Sequence, residues 1–237
     1  MVFFIGQKPT LKFNRAINKI RSTNIVENKY QFYNKCENYY WGEKMRVAGR
    51  NIADPAISKQ EKLLKSYLYK EGRETCVFIS HISENKDAAI AIGEYIRKAG
   101  FDIYLDIYDE NLQSGVARGD DEAITKSIEI GIENSTDILC IISERTKSSW
   151  WVPYEIGYGK KCSNSISTLL LKDVKDIPSY LKISNVIRGI KSLNEYLVFL
   201  ASKEQKGFLE KSASNAPNIQ PHTAIDHPLD KFLNWNV

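Results

Sequence analysis

From about residue 75 the chain alternates between short apolar runs and amphipathic stripes, and this alternation restricts its folds more than any other feature. Cys76-Val77-Phe78-Ile79-Ser80 is a β-branched and aromatic run of the buried-strand kind. Residues 85–99 then set Ala88, Ile92, Tyr95, Ile96 and Ala99 on one helical stripe, closed by Gly100. A second strand is predicted at Phe101–Leu105, followed by a polar, glycine-bearing loop from Asp106 to Gly119. Asp120, Asp121 and Glu122 favour a helix start, and Ile124, Ile128 and Ile132 line that helix. Asp137–Ser143 reads as the third strand, and Pro153 suits the first turn of a helix beginning near Trp151. Ile166–Leu171 and Val186-Ile187 give two shorter strands, and Leu193, Tyr196, Leu197 and Leu200 a closing helix.

Strands alternating with helices through short connections imply a parallel sheet covered on both faces. Five strands in this span suit an α/β, flavodoxin-like, doubly wound domain. Ligands of such folds bind beyond the carboxyl ends of the strands, where strand order reverses. That rule selects Ser80-His81, Asp106 with its loop, and the segment after Ser143. Three strand ends thereby direct polar groups toward one crevice.

The flanks differ in character. Residues 1–70 hold 14 Lys/Arg against 5 Asp/Glu, although the whole chain carries only +4. The lysines are dispersed, which favours a solvated helical face over a nucleic-acid surface. This basic front includes a predicted amphipathic helix (Phe13, Ala16, Ile17, Ile20) and an aromatic group from Tyr30 to Trp41. Asp54-Pro55 is predicted to open a helix carrying Leu63, Leu64, Tyr67 and Leu68. Residues 212–228 read as a polar linker, after which Leu229, Phe232, Leu233 and Trp235 dock back. The expected boundaries are therefore an N-terminal helical extension over 1–72, the sheet domain over 73–202, and a linker with docking segment over 203–237. No window approaches the ~18 uncharged apolar residues of a membrane span, and the opening apolar run is too short for a signal peptide, so a cytoplasmic protein is expected. The four cysteines form no metal-ligand spacing, so no metal is expected.

The sequence has no G-x-G-x-x-G, P-loop or G-x-S-x-G motif, which argues against a dinucleotide fold, a P-loop NTPase and an α/β-hydrolase. Trp151 and Glu155 stand four residues apart, one helical turn, and set a carboxylate beside a large aromatic at the mouth of the sheet. Phe78-Ile79-Ser80-His81, then Tyr104-Leu105-Asp106, then Trp151-Val152-Pro153-Tyr154-Glu155-Ile156 resemble, in order and spacing, the TIR (Toll/interleukin-1 receptor) domain. The likeness covers about residues 75–200. It implies cleavage of the nicotinamide–ribose bond of NAD⁺, with Glu155 at the family's catalytic glutamate. By the same resemblance Phe78, Ser80, His81, Asp106 and Trp151 become substrate-binding candidates, NAD⁺ being substrate and no separate cofactor being needed. Relatives often carry Tyr where His81 stands, and residues 107–119 match the loop of TIR–TIR contacts. Stand-alone bacterial relatives are frequently antiphage defence proteins, and the resemblance implies a role of the Thoeris type. There an ADP-ribose-derived messenger, cyclic or conjugated, activates a separate effector after a phage trigger. Two alternatives are carried: a non-catalytic TIR–TIR scaffold and an NAD-depleting toxin.

Overall fold

In the computed structural model the described residues are 46–182, 184–206, 216–220 and 227–235. The sequence expectations for residues 1–45, the helix at Phe13–Ile20 and the aromatic group included, lie outside them. So does Cys36.

A five-stranded, all-parallel sheet forms in the order β2-β1-β3-β4-β5. The strands are β1 (Cys76–Ser80), β2 (Asp102–Tyr104), β3 (Asp137–Ile142), β4 (Ser165–Leu170) and β5 (Asn185–Ile187). The helices are α1 (Lys59–Lys70), α2 (Lys86–Lys98), α3 (Glu110–Arg118), α4 (Asp121–Glu133), α5 (Trp151–Lys161) and α6 (Ile190–Lys206). This is the flavodoxin-like order, with its reversal between β1 and β3.

Side-chain alternation divides the core into two layers. Val77, Ile79, Leu139, Ile141, Leu169 and Ile187 face α2 and α6, joined by Ile92, Ile96, Leu193 and Leu197. Cys76, Phe78, Ile138, Cys140 and Ile142 face α4 and α5, joined by Ile128, Ile132, Val152 and Ile156. Ser80 continues the second face at the carboxyl end of β1, opposite Cys140 in the β1–β3 register.

Two expectations are corrected. The stretch read as an aperiodic loop contains α3. Asp109 caps its start by accepting from the Asn111 and Leu112 amides, and Gly119 ends it at φ 64°, a left-handed position that favours glycine. Asp54-Pro55 lies in a turn ahead of α1, which starts with Ser58 as its cap. On that helix Leu63, Leu64 and Tyr67 are exposed and Tyr69 is the buried residue. The reason is a polar anchor: the Tyr69 hydroxyl donates to Asp102 at 2.8 Å, and Lys65 pairs with the same carboxylate at 2.9 Å.

The segment before α1 belongs to the sheet structure. Asn51 bridges Ile103 in parallel, and the backbone amides of Ile52 and Ile103 bond across this edge. The edge of β2 is thereby covered. At the chain's other end Leu229 and Leu233 are fully buried in the α2–α6 layer, and Ile190 N–H donates to Asn234 C=O.

Candidate active site

On α5 the buried positions are Val152, Glu155, Ile156 and Gly159, an i, i+3, i+4, i+7 stripe in which one member is an acid. Gly159 lets the helix sit close on β3, since a Cβ there would meet Ile138 Cδ1 at 2.1 Å. Gly159→Ala must push α5 off the sheet or displace a fully buried Ile138. An overpacking loss of ~1–3 kcal/mol is expected, read as a lower midpoint in urea unfolding with an unchanged slope.

That close seating brings Glu155 to the strand-order reversal. The Ser80 hydroxyl donates to Glu155 Oε2 at 2.5 Å, with Ser80 1% and Glu155 3% exposed. Removal from water is the main effect on the carboxyl, and it pushes the Glu155 pKa up to about 8; the Ser80 hydrogen bond opposes this and the Asp106 charge adds to it. At neutral pH the resting Glu155 is therefore mostly the neutral acid. Cys140 lies beneath the pair, its thiol pushed up by burial and by the Glu155 charge.

Asp106 opens a single 3₁₀ turn after β2. Its Oδ1 is buried and finds no hydrogen-bond partner among the described residues. His81 Nδ1 stands 3.7 Å from that oxygen and 3.2 Å from the Ile79 carbonyl. Burial raises the Asp106 pKa, and the His81 charge opposes the rise. The mouth is tied above these groups, where the Asn85 side chain donates to Ser143 Oγ at 3.0 Å. Ser143 and Thr146 form a capping box there.

Ser80, Glu155, Asp106 and His81 thus come together at one place. Phe78 and Trp151 occupy different surroundings. Phe78 has no exposed surface and stacks on Tyr104, with ring centres 5.7 Å apart, so in this closed arrangement it offers no face to a ligand. Trp151 is 39% exposed and meets the Tyr154 ring edge-on at 6.1 Å. Sequence reasoning did not single out Cys140 or the Asn85–Ser143 tie. The first required the β1–β3 register. The second carried one signal, the S-x-x-T spacing of a capping box.

Among the described residues no group of three metal-ligating side chains occurs, and no helix is long and apolar enough to cross a membrane. Residues 77–202, just over half of the chain, match the family described as TIR domain. No curated protein sequence matches the chain.

Proposed function

The chain belongs to the TIR domain family, and from that premise we propose that it cleaves the nicotinamide–ribose bond of NAD⁺, with Glu155 as the catalytic residue. The observation that carries this reading is the buried Glu155–Ser80 pair, set beside the unpartnered Asp106 oxygen at the reversal of strand order. The TIR family includes NAD-cleaving enzymes, and its domains commonly self-associate.

The chemistry follows from the groups present. Nicotinamide leaves a cationic precursor as a neutral heterocycle, so the transition state is an oxocarbenium ion on the ribose, as in glycoside hydrolysis. A carboxylate on one face of that ring stabilises the developing cation, and no general acid is required. Glu155 is neutral at rest, but the pyridinium charge of bound NAD⁺ favours its ionised form, so substrate entry itself drives off the proton. The Asp106 oxygen lacks a partner and is suited to accept from a ribose hydroxyl. His81 adjusts the charge of Asp106. Water as acceptor yields ADP-ribose, nicotinamide and a proton. An internal nucleophile yields a cyclic isomer, and an added nucleophile yields a conjugate. In a bacterial setting the reading extends to a cytoplasmic Thoeris-type synthase whose messenger switches on a separate effector after phage infection.

The test is incubation with NAD⁺ at protein concentrations that permit self-association, with the product identified by mass spectrometry. Intact NAD⁺ under all such conditions, phage-infected lysate included, would overturn the reading. A pH profile gives a second check. kcat/KM of wild type is expected to rise with a midpoint near pH 8, because the free enzyme's Glu155 must lose its proton. Asp106→Asn removes a neighbouring charge that raises this pKa, so the midpoint moves to lower pH even as KM increases. An unmoved midpoint refutes the coupling.

A further inference from the structure

A cavity of about 570 Å³ lies beneath α6, at the amino-terminal ends of β3, β4 and β5 and so at the opposite end of the sheet from Glu155. Its existence follows from the side-chain pattern. Ser165 and Ser167 precede Leu169 on one face of β4, and Leu169 packs in the α2–α6 layer. Two small hydroxyl residues therefore stand where the same face farther along is filled by leucine, and α6 spans the gap. Its volume lies in the range of small-molecule sites.

The lining is polar in a particular way. Tyr196 is 4% exposed, and its buried hydroxyl forms no hydrogen bond among the described residues, although Ser167 is near enough to influence it. A buried hydroxyl left unpaired is costly, and an acceptor on a ligand would satisfy it. The exposed Asn185 amide borders the same space. Phe199 stands at the rim with more than half of its surface exposed and Lys203 Nζ 5.6 Å over its ring. The charged lining groups, Asp137 and Glu195, are both acidic. Lys203 is committed to Asp137 at 2.9 Å and to Ser165 at 3.1 Å. Hydroxyls, an amide and an aromatic ring suit a ring-bearing, hydroxylated molecule, while Asp137, Glu195 and Lys203 together carry a net negative charge, which disfavours phosphate.

We propose that this cavity is a second small-molecule site, which takes an uncharged nucleoside-sized ligand by stacking on Phe199 and hydrogen bonding to Tyr196 and Ser167. The site is independent of the Glu155 chemistry.

Adenosine serves as the probe and AMP as its anionic counterpart, with calorimetry and thermal unfolding performed on the full chain. Adenosine is expected to bind and raise Tm, and AMP to bind at least tenfold more weakly. Tyr196→Phe should weaken adenosine at least tenfold while its own Tm without ligand holds or rises, since the unpaired hydroxyl is gone. Ser167→Leu fills the space in the manner of Leu169 and should abolish binding. Glu155→Gln should leave adenosine affinity unchanged, which separates this site from the NAD⁺ site and its failure from failure of the NAD⁺ reading. Absence of adenosine binding at millimolar concentration overturns the proposal. So does binding that survives both cavity substitutions, or that is lost with Glu155→Gln.

Discussion

Glu155→Gln is expected to reduce nicotinamide release from NAD⁺ by at least about a hundredfold, the scale on which loss of one preorganised electrostatic group acts. Gln keeps the volume and can accept from Ser80, so the helix seating fixed by Val152, Ile156 and Gly159 persists. What disappears is the negative charge facing the ribose as the bond to nicotinamide breaks. The loss should fall on kcat and on kcat/KM alike, since the interaction strengthens only as the cation develops. Glu155→Asp restores the charge but withdraws it by one methylene from a seat fixed at 2.5 Å, so an intermediate rate is expected. Nicotinamide assays on wild type and both variants, at matched assembly state, decide the matter. Unchanged release in Glu155→Gln removes Glu155 from the mechanism.

The same substitution is expected to change stability in the opposite direction. The folded-state pKa of Glu155 is about 8, against an ordinary value near 4.5. Below about pH 4.5 both states hold the proton, and the group is neutral in each. Between pH 4.5 and 8 the unfolded chain has released it while the folded chain has not, so stability falls as pH rises. The full difference is on the order of 5 kcal/mol and is lost once the pH passes the folded value. Gln carries no such proton. The stability of Glu155→Gln relative to wild type should therefore climb across pH 4.5–8 and level off above it, by urea unfolding at a series of pH values. Parallel pH–stability curves refute a neutral, buried Glu155. A residue at which the neutral variant is inactive and more stable is the pattern expected where function is maintained against folding.

The strands were legible because each is a short run with polar or glycine boundaries, and β1 and β3 match their runs closely. α3 was not, because it buries only Leu112 and Gly115 and so shows no stripe. Its two caps, Asp109 and Gly119, were the available signal. α1 misled for the converse reason. Leu63, Leu64 and Tyr67 make a convincing apolar set, yet the buried Asp102 carboxylate fixes the helix through Tyr69 and Lys65. Propensity and pattern yielded there to one tertiary anchor. At the site, Glu155 was readable as an acid one helical turn after a tryptophan, at the position that matches the TIR family's glutamate. Its contact with Ser80 depends on the β1–β3 register and on how closely Gly159 lets α5 approach, neither of which a linear pattern contains.

The distribution of the core along the chain has a consequence for synthesis. Leu229 and Leu233 complete a layer whose other members begin at Val77, and Asn234 closes the start of α6. Roughly 150 residues follow Val77 before that layer can be sealed, which at about 5–20 residues per second takes roughly 8–30 s of synthesis. Only after Glu155 is added, with about 75 residues still to come before Leu229, does the nascent chain hold every catalytic candidate, and it then has an open seam along α6. Leu229, Leu233 and Asn234 fasten this layer, and proteolytic cleavage ahead of them reopens the interior along α6.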